Sequence, residues 1–157
     1  GTQDSKGKMN LKSMQQTATD MYDWAKKEYP KAKIVIMGHS YGAGIATYLS
    51  SVRETHSLII AAGYRDLSDL YNKIIPIFHG PLKVFISNNI QASKYAQNVS
   101  CPVYVIGSDA DKTLDASLQE KVAGCFNNSE IRIFKNINHE NYFITDEVLD
   151  YVKSKMK

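Results

Sequence analysis

One transition constrains this chain more than any other. The apolar run Lys33-Ile34-Val35-Ile36-Met37 passes directly into Gly38-His39-Ser40-Tyr41-Gly42-Ala43-Gly44, and Ile45, Ala46, Tyr48 and Leu49 then continue at helical spacing to about Val52. Consecutive β-branched residues without polar alternation suit a strand buried on both faces of a parallel sheet. A buried strand, a glycine-rich turn and a helix in immediate succession are the start of a βαβ unit.

The remaining pattern repeats that alternation. Leu11, Met14, Ala18, Met21, Tyr22 and Ala25 recur at helical spacing, with Asn10 as N-cap and Pro30 as terminator. Residues 57–63, 102–109 and 130–134 read as three further strands, and residues 117–126 as a helix. Thr145 is placed to cap a last helix, with Asp146 and Glu147 in its first turn and Val148, Leu149 and Val152 facing the sheet. Residues 64–100 are mixed, with short helices expected at 67–71 and 93–97 and breaks at Pro76, Gly80 and Pro81. The expected fold is therefore α/β: a parallel sheet of about four strands with right-handed crossovers and helices on both faces. Residues 1–157 form a single domain in this reading, with 64–100 an irregular, lid-like insertion. Functional residues should lie beyond the carboxyl ends of the strands.

Composition removes several classes. The balance of 19 Lys and Arg against 16 Asp and Glu leaves a net charge of +3, too small a surplus for a nucleic-acid partner. The local groups Lys26, Lys27, Lys31, Lys33 and Lys153, Lys155, Lys157 read as solvated helix faces. No stretch approaches the ~20 apolar residues of a membrane span, and no signal peptide is visible, so a cytoplasmic location is the expectation. Cys101 and Cys125 lie in no CxxC pattern and have no histidine at ligand spacing. They read as small apolar residues of a reduced protein, with a disulfide between them the open alternative. Carboxylates are dispersed and no histidine pair sits at i, i+4, so neither a metal nor a cofactor is expected. GHSYGAG lacks both a Walker lysine and GxGxxG spacing, which argues against nucleotide binding.

The turn itself carries chemistry. Gly38-x-Ser40-x-Gly42 has the strand–turn–helix context in which a serine is held at a strained tip with its hydroxyl exposed. The N–H of Tyr41, at the start of the following helix, is placed to donate to a developing oxyanion. A serine hydroxyl needs a base. Of the four histidines, His39 lies inside the turn and is expected to point away from the partner side of the serine, His56 precedes a strand, and His79 lies in the irregular segment. These three read as structural or surface residues. His139 follows the last strand, in Asn136-Ile137-Asn138-His139-Glu140-Asn141-Tyr142, on the sheet edge that bears Ser40. An acid should orient that imidazole. Asp109 and Asp111 both follow the preceding strand, and position alone leaves the choice open.

GHSYGAGIATYLSS, CPVYVIGSDADKTL and NINHENYF resemble the nucleophile, acid-turn and histidine-loop segments of α/β-hydrolases, and most of all the serine-aminopeptidase-like and Bem46-like branch. SLIIAAGYRDLSDL is similar to that branch's segment after its sixth strand, and GTQDSKGKMN to the loop after its fourth. The resemblance implies a serine hydrolase acting on an ester, thioester or amide through an acyl-enzyme, with Ser40, His139 and Asp111 as catalytic residues and Tyr41 in the oxyanion site. Asp111-Lys112-Thr113-Leu114 matches the family's acid turn, although the turn runs one residue longer than usual and Asp109 stays an alternative. Tyr64, Tyr71, Ile74, Ile75, Ile77 and Phe78 would line an acyl pocket or pack as core.

A whole protein of this type has roughly 250 residues. Against that pattern the chain reads as a truncated α/β-hydrolase fold that starts at the end of the fourth strand, without the loop that supplies a second oxyanion donor. Strand 33–37 would then be a sheet edge with unpaired backbone groups. A second copy of the chain or a complementing N-terminal piece is expected to cover it. The competing reading is a catalytically incomplete hydrolase-like fragment that acts as a binding or assembly module.

Overall fold

The computed structural model describes Gly7, residues 10–69 and residues 90–157. In chain order the elements are α1 (Leu11–Glu28), β1 (Val35–His39), α2 (Tyr41–Val52), β2 (Ser57–Ala61), α3 (Ala92–Ala96), β3 (Val103–Ser108), α4 (Ala116–Ala123), β4 (Ser129–Phe134), a 3-10 turn (Tyr142–Ile144) and α5 (Asp146–Lys155). The strands form one parallel sheet in the order β1-β2-β3-β4. Strands consecutive in the sequence are thus neighbours in the sheet, the usual arrangement for consecutive elements.

β2 and β3 are central, and their side chains are the driest in the molecule. Leu58, Ile59, Ile60, Val103, Val105 and Ile106 are all at most 1% exposed. Burying each such side chain stabilises the fold by about 1.5–3 kcal/mol relative to leaving it in water. Two glycines show which helices share a face. A Cβ on Gly38 would lie 2.6 Å from Ala46 Cβ of α2, and one on Gly107 would lie 2.6 Å from Gln119 Cγ of α4. Gly38 pairs with Ile60, which pairs with Val105, two residues before Gly107. The period of two in a strand therefore puts α2 and α4 on one face. α5 takes the other, through Tyr151 against Phe134 and through Lys155, which pairs with Glu130 at 2.7 Å and lies over the Tyr104 ring.

Ends of elements follow local chemistry. Asn10 caps α1 with a reciprocal box: its side chain accepts the Ser13 N–H at 2.9 Å, and the Ser13 hydroxyl accepts the Asn10 N–H at 3.0 Å. Asp115 caps α4 by accepting the Leu118 N–H at 2.9 Å. The amide of Gln119, fully buried, accepts from Gly63 N–H and donates to the carbonyls of Gly63 and Leu114. It thus ties the loop after β2 to α4.

Several boundaries differ from the sequence reading. β1 runs two residues later than 33–37, at Val35–His39, because pairing with Ser57–Ala61 sets its register. β2 stops at Ala61, where Ala62 turns to φ +48°. The fourth helix spans Ala116–Ala123 instead of 117–126, since Asp115 starts it one residue early and Gly124 ends it. Thr145 sits at the N-cap of α5 but makes no capping bond; its hydroxyl donates to the Asn141 carbonyl at 2.7 Å. Cys101 and Cys125 are free thiols. Tyr64 is 1% exposed and belongs to the core, while Tyr71, Ile74, Ile75, Ile77, Phe78 and His79 lie outside the described residues.

Candidate active site

Three strand ends meet at one point. β1 ends at His39, and Ser40 adopts φ +50°, ψ −124° before α2 begins at Tyr41. A non-glycine residue in that region is strained, by about 1–3 kcal/mol. Contacts on both sides hold it: the Ser40 N–H donates to Ala61 O at 3.0 Å, and its carbonyl accepts the Ala43 N–H at 2.9 Å. The turn closes only because Gly38 is bare, as any Cβ there would overlap Ala46, Gly42 and Ala43. Gly44 faces Tyr64 and Ile90 rather than the strand. The Tyr64 hydroxyl donates to the Tyr41 carbonyl at 2.9 Å, bracing the first turn of α2.

Ser40 makes no side-chain cap to α2. Its Oγ lies 2.9 Å from His139 Nε2, and His139 Nδ1 lies 2.9 Å from Asp111 Oδ2. The Asp111 side chain is fully buried and that of His139 is 17% exposed. Both carboxylate oxygens of Asp111 are committed. Oδ1 accepts the N–H groups of Thr113 at 2.8 Å and Leu114 at 2.9 Å, while Oδ2 accepts from His139 and from the Tyr142 hydroxyl at 3.1 Å. An acceptor-only carboxylate at Nδ1 fixes the imidazole proton there and leaves Nε2 as an acceptor toward the serine hydroxyl.

The loop bearing His139 is pinned from β3. Ser108 Oγ accepts the Ile137 N–H at 3.0 Å, and Asp109 Oδ1 accepts the Asn136 N–H at 2.8 Å, with Asn136 at φ +60°. Asp109 is exposed and turned to that backbone, so of the two candidate acids only Asp111 meets the imidazole. His39 does not point away, as the sequence reading had it. Strand alternation puts it on the histidine-loop side, where its Nε2–H donates to the His139 carbonyl at 2.9 Å and its ring packs 5.0 Å from that of His139. Burial, and then the neighbouring His139, holds the His39 imidazole below its usual proton affinity. It therefore serves as a neutral donor.

His39, Ser108, Tyr64 and Tyr142 were not assigned a part in this cluster from sequence. Tyr142 could have been found by its proximity in sequence: it stands three residues after His139, at the start of the 3-10 turn. Burial, followed by the charge of Asp111, keeps its phenol protonated far above the usual range. His56 sits at the opposite end of the sheet, with its ring against the Lys157 carbonyl. Among the described residues no group of three or more His, Cys, Asp or Glu side chains is placed to hold a metal ion, and no helix is long and apolar enough to cross a membrane.

A parallel sheet with a strand–turn–helix serine, and a histidine and an aspartate at the ends of two further strands, is an α/β-hydrolase architecture. Solved structures agree on the fold. An alpha-beta serine hydrolase homologue from Coxiella burnetii superposes with a TM-score of 0.69 at 14% identity, covering 99% of this chain and 63% of that one. An esterase of Pyrococcus furiosus gives 0.72 at 20% identity, over 98% of this chain and 63% of that one. Est1E of Butyrivibrio proteoclasticus gives 0.68 at 12% identity, over 94% and 72%. The chain thus spans less than two thirds of the length of the first two. The dienelactone hydrolase family model matches residues 2–156, and the chain belongs to that family. No curated protein sequence matches it.

Proposed function

We propose that this chain carries the catalytic centre of a serine hydrolase that cleaves an ester, thioester or amide of a small molecule through an acyl-enzyme. The observation that supports this most is the unbroken relay Ser40 Oγ–His139 Nε2 and His139 Nδ1–Asp111 Oδ2, both at 2.9 Å, drawn from three separate strand ends. Packing alone gives no reason for those three residue types to converge beside a strained serine.

In this reading Ser40 Oγ attacks the substrate carbonyl carbon while His139 Nε2 takes its proton. The carbonyl electron pair moves to the oxygen, where the Tyr41 N–H at the positive end of α2 donates to it. Collapse breaks the bond to the leaving group, which takes the proton from His139 and departs, leaving an ester on Ser40. Water then attacks that ester, giving its proton to His139, and the acid is released as Ser40 Oγ recovers a proton. Asp111 orients the imidazole and stabilises the imidazolium that forms. A kinship to the serine-aminopeptidase-like and Bem46-like branch is part of this proposal, and what supports it is the likeness of the three sequence segments that carry these residues.

A partner across β1 belongs to the same reading. β1 has no neighbour on its outer side among the described residues, and Met37 is 50% exposed. An uncovered apolar edge invites strand pairing, by a second copy or an N-terminal piece. A stable monomer with this edge open in dilute solution would refute that part.

The test of the catalytic proposal is labelling with a fluorophosphonate, read by intact mass, with Ser40→Ala as control. One adduct on the parent chain and none on the variant is expected. A folded parent chain without an adduct would favour the binding-module reading instead.

A further inference from the structure

Asp111 Oδ2 has two partners: His139 Nδ1 at 2.9 Å and the Tyr142 hydroxyl at 3.1 Å. Tyr142 is fully buried, so water cannot replace its phenol. We propose that Tyr142 is a positioning residue which, by donating to the same oxygen that receives the His139 proton, lowers the hold of Asp111 on the imidazolium and so eases proton return to the leaving group. The inference rests on the hydrolase reading for its consequence, but not for its geometry.

The physical argument is competition for one oxygen. A hydrogen bond to a carboxylate draws negative charge toward its donor. With the phenol present, less of the Oδ2 charge is available to stabilise a protonated His139. The plane of the carboxylate does not depend on Tyr142, because Oδ1 is anchored by the N–H groups of Thr113 and Leu114. Removing the phenol should therefore strengthen the Asp111–His139 pair rather than scatter it. Other groups facing His139 stay in place: His39 and Ser40 from the end of β1, and Asp111 from the loop after β3. Asp109 in that same loop is turned to Asn136, and Glu140 in the histidine's own loop is exposed.

The experiment compares the full chain with Tyr142→Phe by nuclear magnetic resonance titration of the His139 ring and by the pH profile of fluorophosphonate labelling. In Tyr142→Phe the titration midpoint should move to higher pH, by about a three- to tenfold gain in proton affinity, and the acid limb of the labelling profile should move with it. A second chain carries 3,5-difluorotyrosine at position 142, a stronger donor of the same shape. Its midpoint should move the opposite way, which a purely structural role for the ring would not produce. A folded Tyr142→Phe chain with an unmoved midpoint, or two replacements that move it in one direction, would overturn the proposal. Should Tyr142→Phe fail to fold, the fluorinated chain decides alone: a lowered midpoint supports the competition and an unmoved one ends it. Absence of labelling in the parent would sink the hydrolase reading while the ring titration still judged Tyr142.

Discussion

Replacing Asp111 by Asn should switch off Ser40 without unfolding the chain, and the reason lies in the two backbone donors. Thr113 N–H and Leu114 N–H both point at Oδ1. An Asn side chain must turn its carbonyl oxygen toward them, since its NH2 would clash with two donors. The NH2 is then fixed opposite His139 Nδ1 and donates to it. That nitrogen becomes an acceptor, and the imidazole carries its proton on Nε2, facing Ser40. A base protonated on that side cannot take the serine proton. Loss of the correct tautomer in a comparable triad costs about 10⁴ in rate, or about 5.5 kcal/mol at about 1.4 kcal/mol per factor of ten. Stability should change little, by about 1 kcal/mol, because every polar partner keeps a bond and the Tyr142 hydroxyl can rotate to accept. The assay is the second-order rate of Ser40 labelling, with a thermal melt to verify the fold. Asp109→Asn, whose amide oxygen can still accept the Asn136 N–H, should stay within about threefold of the parent. A fast Asp111→Asn chain beside a slow Asp109→Asn chain would refute the assignment of the acid.

Two further outcomes follow from the turn at Ser40. A Cβ on Gly38 would lie 2.6 Å from Ala46 Cβ, 2.7 Å from Gly42 O and 2.8 Å from Ala43 Cα. Carbon contacts relax at about 3.5–4.0 Å, so Gly38→Ala should drive α2 back by about 1 Å. The expected cost is about 1–3 kcal/mol, a fall in Tm of roughly 3–10 °C, and about 10²-fold in labelling rate from the displaced serine; an unchanged melt and rate would contradict it. His39 binds a proton less readily folded than unfolded, chiefly because it is buried. Below about pH 6.5 the unfolded chain gains the proton first, so stability should fall as pH drops through that point toward the lower folded midpoint. Urea titrations should give a flatter pH slope for His39→Gln than for the parent, and equal slopes would remove His39 as the cause.

Much of this molecule is written in local pattern. Apolar runs at sequence positions 57–63 and 102–109 specify the buried central strands β2 and β3 because only a sheet core accommodates them, while the runs at 33–37 and 130–134 become the edge strands β1 and β4, whose side chains stay mostly part-exposed or exposed. Asn10 and Ser13, three residues apart, specify the start of α1 by chemistry that needs no distant partner. The strand–glycine–serine–glycine–helix sequence likewise demands a tight turn at Ser40. What only tertiary structure decided are choices between near neighbours. Asp109 and Asp111 stand two residues apart in one turn, and nothing local separates them. The turn after β3 folds back so that Asp111 bonds the N–H groups of Thr113 and Leu114 and reaches His139, while Asp109 faces Asn136 on the next strand's loop. His39 gained its place from the approach of a loop 100 residues away, and β1 took its limits from pairing with β2 rather than from its own composition. Local sequence sets which conformations are cheap, but a contact between side chains that differ by one loop's path is settled only when the sheet brings the strand ends together.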